Sequence, residues 1–250
     1  MGFGLGLKLH GSATVGGGAP AAITYVGGAT MLKQGNTTST IPLTSGLTGG
    51  TGATAEIGDF VLAIHSNGSN ADRTLPITDG AVDYTLIGSE LFANDTRDIN
   101  LRSAYKFMDG SVDASTTFGA SAGADNSCCA VLVFRGVDAA TPLDVAVVQG
   151  TSINGGQPNP GSITPTTSGA FIVIIGAGSC DAASPPAIFA TSGLTDFRSV
   201  IRTAISSFGC LLGVGHLEWP GGAYDHAAFT DGSTAVEDSA AMTAIALRPG

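Results

Sequence analysis

The sequence predicts an all-β protein, a two-sheet antiparallel sandwich of jelly-roll-like or Greek-key-like type, preceded by an extended N-terminal arm. Three observations lead there. The 250 residues include 37 glycines and only 12% charged side chains, the profile of many short strands and turns. No segment carries an apolar stripe at helical spacing, whereas several alternate apolar and polar residues with period two. One plan of strands also occurs twice along the chain.

The elements follow in order. In residues 1–10, Phe3, Leu5, Leu7 and Leu9 share one parity while Gly2, Gly4, Gly6 and Lys8 share the other. Extended, this segment has one apolar face and one face almost without side chains, so another backbone can approach closely. It reads as a docking arm with those four side chains as anchors. A Gly, Ala and Pro stretch from Gly11 to Ala21 forms a joint. Residues 22–250 then make a single sandwich domain of two similar halves, about 58–137 and 169–249. In the first half an apolar strand from Gly58 to His65 opens and one from Ser127 to Gly136 closes; in the second, Gly169 to Gly176 opens and Ala240 to Pro249 closes. Phe60 aligns with Phe171 and Arg135 with Arg248, at separations of 111 and 113 residues. These four runs are apolar on both parities, as strands buried on both faces are. Between them lie alternating segments, Ile99 to Met108, Ser199 to Ser207 and Leu211 to Trp219. Leu101, Ser103, Tyr105 and Phe107 share one face with Arg102 and Lys106 opposite, which predicts one side toward water. Pro76, Pro142, Pro158, Pro160, Pro165, Pro185, Pro186 and Pro220 fall between the runs, where a missing backbone donor does no harm.

Charge and motifs narrow the function. A net charge of −10 from scattered acids argues against nucleic acid as a partner, because neutralising phosphates takes clustered Lys and Arg. No run reaches the roughly 18 apolar residues of a membrane span, and no basic, apolar secretory leader is evident. The adjacent Cys128 and Cys129 point to opposite faces of a strand, and with Cys180 and Cys210 they form no disulfide framework; folding in a reducing cytoplasm fits. Asn36, Asn67 and Asn94 begin chance matches to the glycosylation pattern. Gly119 to Gly123 matches G-x-S-x-G around Ser121, yet no helix follows as a nucleophile elbow requires. Gly176-Ala-Gly178 lacks the third glycine and the helix of a dinucleotide loop. There is no zinc motif and no cofactor is expected; the acidic loops at Asp109 to Asp113 and at Asp231 suit opportunistic Ca2+ at most. The reading is therefore not an enzyme. The densest polar cluster, His216 to His226, holds Trp219, Tyr224, Asp225 and His226, a candidate glycan-binding loop whose alternative is an end-cap with polar tips in water. His65 and His216 each end a strand and read as satisfied structural residues.

The run Val131-Leu-Val-Phe-Arg-Gly-Val-Asp138, followed by Thr141-Pro-Leu-Asp144, resembles the "fRGVD...PlD" signature of β-sandwich proteins encoded in tailed-phage, prophage and gene-transfer-agent structural modules. The resemblance extends to Gly58-Asp-Phe-Val61, Ser103 to Phe107, Thr164 to Gly169 and Thr243 to Pro249, and covers roughly residues 55–250. It implies a non-enzymatic virion structural protein, made in the host bacterial cytoplasm, whose partners are other capsid or tail proteins (decoration, head fibre or tail accessory). The matched residues are mainly fold determinants, with Arg135 and Asp138 tying a strand end to its turn. An arm and a low charge density favour self-association, with a trimer as the first expectation. The alternative function is a receptor-recognition module in which Trp219, Tyr224, Asp225 and His226 bind a host-surface glycan.

Overall fold

The computed structural model describes residues 21–250 apart from 122, 124, 182, 184–186, 188, 204–206 and 231–238. The arm residues Phe3, Leu5, Leu7 and Leu9, most of the joint, Asp231, Pro185 and Pro186 lie outside the described residues. The first half contributes β1 (Thr24–Gln34), β2 (Ser39–Pro42), β3 (Phe60–Ser69), β4 (Ile77–Thr78), β5 (Thr85–Leu86), β6 (Leu91–Ala93), β7 (Asp98–Phe107), β8 (Ser115–Phe118) and β9 (Asn126–Arg135). The second contributes β10 (Val148–Ile153), β11 (Phe171–Asp181), β12 (Thr195–Arg202), β13 (Phe208–Glu218) and β14 (Ser239–Leu247). Among the described residues there is no helix.

The fold is a two-sheet antiparallel sandwich in which each half of the chain completes one sheet. The first sheet runs β1-β9-β3-β7-β5, with β6 also paired to β7, and the second runs β10-β14-β11-β13-β12. The order is the same in both: first strand, closing strand, opening strand, penultimate strand, short or edge strand. Across the sandwich β1 lies against β12, β9 against β13, β3 against β11, β7 against β14 and β6 against β10. Phe134, paired with Phe60 at the start of β3, meets the Phe171 ring at the start of β11; at the other end the Asn126 amide donates to the Phe208 carbonyl at 2.6 Å. β3 and β11 therefore run the same way, and an approximate two-fold axis along the strands relates the sheets.

Burial on both faces explains the continuous apolar runs. The interior between the sheets takes Phe60, Leu62, Leu132 and Phe134 from one side and Val173, Ile175, Leu212 and Ile245 from the other. The outer face of the first sheet, with Val61, Ala63, Val131 and Val133, is covered by the small sheet β2-β8-β4 and by Leu43, Leu47 and Ala55. The outer face of the second sheet is covered by loops carrying Ile163, Phe189 and Phe229. This added layer corrects one expectation. The Arg102 and Lys106 side of β7 does not look onto water: Lys106 is held between Asp79 and Asp113, the latter at 2.8 Å, and Arg102 lies 3.9 Å from Glu90.

The residues of the Val131 to Asp144 run close the end of the first half. Gly136 has φ +81°, and a side chain there would press on the Ala22 carbonyl. Asp138 accepts hydrogen bonds from the Ala140 and Thr141 amides, and Asp144 accepts from the amides and hydroxyls of Thr166 and Thr167. Arg135 donates from Nε and Nη2 to the fully buried Asp59 carboxylate at 2.8 and 3.0 Å, and the Glu56 amide donates to it at 2.8 Å. Removing the guanidinium leaves a buried carboxylate without its countercharge. Arg135→Met is expected to lower the unfolding free energy by about 3 kcal/mol, whereas Glu56→Gln, at an exposed pair, changes it by less than about 0.5 kcal/mol. Urea denaturation of both variants measures this, and equal small effects would refute the assignment.

Candidate functional site

In the predicted loop, Trp219 packs partly buried against the outer core of the second sheet, and its indole Nε1 donates to the Gly222 carbonyl at 2.8 Å. The Tyr224 hydroxyl bonds His226 Nδ1 at 2.9 Å, and His226 Nε2 bonds the Thr191 hydroxyl at 2.8 Å. His226 is buried, which lowers its pKa. Asp225 is exposed. The structure thus brings Tyr224 and His226 together, but one imidazole nitrogen and the indole N–H are used within the loop and the other nitrogen on Thr191.

Ser121 is buried, and its hydroxyl donates to the Gly35 carbonyl at 3.1 Å. It sits at the pole where β3 ends, opposite the pole that holds His216, one of the two downstream histidines (His216 and His226) that a Ser121 nucleophile would call on. Asp113 is paired with Lys106. Among the described residues no three His, Cys, Asp or Glu side chains converge as a metal site, and the four cysteines are buried and form no disulfide.

The most distinctive arrangement lies where the edge strands of the two sheets approach each other, beside the starts of β1, β11 and β12 and the end of β13. A cleft of about 430 Å3 opens there, lined by Tyr25, Phe171, His216, Glu218, Thr195 and the Gly49-Gly50-Thr51 turn. Two register shifts shape it, one in β1 between Tyr25 and Gly27 and one in β12 between Thr195 and Arg198. Bulges of this kind bend a strand and re-aim its side chains. In the second, Asp196 adopts φ +45°, a left-handed conformation that Asp tolerates better than most residues. This turns its carboxylate onto the Tyr25 hydroxyl, which donates at 2.5 Å, and onto Arg198 Nε at 2.7 Å. Arg198 Nη2 also reaches the Asp196 carboxylate and the Thr48 carbonyl, both at 2.6 Å. Gly49, at φ +80°, lies so close that any side chain would overlap the Asp196 carboxylate.

His216 forms the floor. Its ring lies 4.1 Å from Tyr25, 5.8 Å from Phe171 and 5.6 Å from Phe134, centroid to centroid. It is only 3% exposed, and neither ring nitrogen has a hydrogen-bond partner. Burial, outweighing the nearby Asp196 carboxylate, holds its pKa down to about 4, so the imidazole is neutral at physiological pH. Burial and the Asp196 contact likewise push the Tyr25 phenol up. The expectation that His216 is a satisfied strand-end histidine therefore fails. His65 is buried edge-on against Phe118, with the Pro76 backbone carbonyl beside its imidazole, as a structural histidine would be. Sequence reasoning did not associate Tyr25, Asp196 and Arg198 with any site.

Comparison of the chain with known protein families, curated proteins and solved structures finds no match.

Proposed function

We propose that this protein is a non-enzymatic structural component of a phage or phage-like particle, attached to capsid or tail subunits through its N-terminal segment. One observation carries the reading. The Ala21 amide donates to the Gly250 carbonyl, and the Gly250 amide donates to the Gly136 carbonyl at 2.9 Å, so residues 1–20 join the sandwich at a single pole. Attachment through them leaves the rest of the body to project. The Val131 to Asp144 run supports the same class, since Arg135, Asp138 and Asp144 are spent on holding strand ends and turns rather than on chemistry.

Energetics set a condition on the attachment. Burying Phe3, Leu5, Leu7 and Leu9 contributes roughly 6 to 12 kcal/mol at ~1.5–3 kcal/mol each. Ordering ten glycine-rich residues costs about 10 to 20 kcal/mol. Backbone pairing with a sheet edge, together with presentation in many copies, supplies the remainder. Deletion of residues 1–11 is expected to leave thermal unfolding of the sandwich unchanged and to abolish co-purification with particles. Normal incorporation of the truncated protein would overturn the proposal.

A further inference from the structure

We propose that Asn154 is a site of spontaneous covalent modification, in which the Gly155 backbone nitrogen closes onto the Asn154 side chain and the residue ends as aspartate or isoaspartate. The inference stands apart from how the N-terminal segment attaches. It starts from the sequence, where Asn67 and Asn154 are the asparagines followed by glycine. A glycine nitrogen is not shielded by a β-carbon, and glycine permits the backbone rotation that ring closure needs. Every other asparagine precedes a residue with a side chain, and Asn159 precedes Pro160, which has no N–H.

The structure separates the two pairs. Asn67 lies fully buried within β3, and Gly68 is paired on one side with Ile99 and on the other with Asn126. The Asn67 Nδ2 donates to the Asn126 carbonyl at 3.1 Å and to the Ser127 hydroxyl at 2.9 Å, so the amide that would react is held on both sides. Asn154 is the opposite case. It follows β10, exposed, in a left-handed conformation at φ +58°, with Gly155 at φ +81°. Among the described residues, neither its side-chain amide nor the Gly155 N–H makes a hydrogen bond. The Asn154 backbone amide donates to Asp95 Oδ2 at 2.6 Å, which fixes the residue without restraining the Cα–C bond about which it turns to close the ring.

The chemistry balances with water as the only co-reactant. The Gly155 nitrogen gives up its proton and bonds to Cγ of Asn154; the Cγ–Nδ2 bond breaks, and ammonia leaves with that proton. The five-membered imide then takes up water. Opening at Cγ gives aspartate, whereas opening at the backbone carbonyl carbon gives isoaspartate, in which the chain runs through the side-chain carbons. Either product adds one negative charge at the residue whose amide Asp95 holds. Asp95 belongs to the turn between β6 and β7 of the first sheet and Asn154 follows β10 of the second, so the modification places like charges at a contact between the sheets.

The test keeps the full chain at pH 7.5 for several weeks, folded in buffer and unfolded in concentrated urea, and maps its peptides by mass spectrometry. In the folded chain the Asn154 peptide is expected to take on the mass of the aspartate form and to accept a methyl group from an isoaspartyl methyltransferase. Asn67 is expected to convert at least about a hundredfold more slowly, because it must wait for β3 to open. In urea that difference is expected to vanish. Asn154→Gln, whose longer side chain closes a six-membered ring poorly, is expected to remove the more acidic species that ion exchange resolves. An Asn154 that stays intact in the folded chain, conversion of both asparagines at one rate in buffer, or a difference that persists in urea would each overturn the proposal. So would aspartate formed without isoaspartate, or acidic species that persist in Asn154→Gln.

Discussion

Phe134→Ala is expected to lower the unfolding free energy by about 4 kcal/mol, the largest effect of any single truncation considered. The ring is fully buried on β9 and sits where three strands from both sheets converge. It lies 5.3 Å from Tyr25, 5.6 Å from His216 and 6.2 Å from Phe171. Truncation loses the transfer free energy of the ring and leaves a cavity that the surrounding strands cannot readily collapse into, because β11 and β13 are paired on both sides and β1 is held to β9 along most of its length. Phe134→Leu retains most of the volume and is expected to cost about 1.5 kcal/mol. Ile57→Ala, at a residue 64% exposed, is expected to change stability by less than about 0.5 kcal/mol. Urea denaturation orders the three variants, and an alanine effect near that of Ile57 would mean that the sheets are not joined through this ring.

Phe134 also shows why part of the fold is legible in the chain. Its run is apolar on both parities because β9 is covered on one side by the second sheet and on the other by the small sheet, so tertiary burial is written directly into local composition. The same holds for β3, β11 and β14. The sequence reading passed over β1, although it spans eleven residues. Its Gly27-Gly28 pair and mixed polarity carry no clear period, and it is a strand because β9 offers it a partner along most of its length. Strands such as β4 and β5, two residues each, are too short to show any periodicity. The outer layer built by β4 with the four-residue strands β2 and β8 was invisible for the same reason, which is why Arg102 and Lys106 read as facing water.

The candidate cleft was less legible than the fold. Tyr25 and Asp196 are 171 positions apart, and what unites them is a bulge in each of two edge strands. Bulges depend on which strand lies alongside, so they leave little local trace. The cluster of Trp219, Tyr224 and His226 is, by contrast, conspicuous in one dimension because its members are neighbours. That proximity pairs Tyr224 with His226, while Trp219 donates to Gly222 and the second His226 nitrogen meets Thr191.

The buried histidines carry the second large prediction, an acid-side loss of stability that begins before the carboxylates titrate. Burial lowers the pKa of His65, His216 and His226 in the folded state. For His65 the nearby Lys33 and Arg102 charges act in the same direction and the Pro76 backbone partly opposes them, whereas for His216 and His226 a neighbouring Asp partly opposes burial. A base with a folded pKa below its unfolded value binds protons preferentially when unfolded, so stability is full above the unfolded pKa and is lost as pH falls. For His216 the window runs from 6.5 down to about 4, and its width corresponds to about 3 kcal/mol. Carboxylates act lower: Asp79, held down to about 2 chiefly by Lys106, gives stability that disappears only as pH falls from 3.8 through that value. Urea midpoints at pH 7.5, 5.5 and 4.5 are expected to fall steadily, and His216→Phe is expected to flatten that slope without lowering stability at pH 7.5. A flat profile in the parent protein would mean that these imidazoles reach water or protonated partners in the fold.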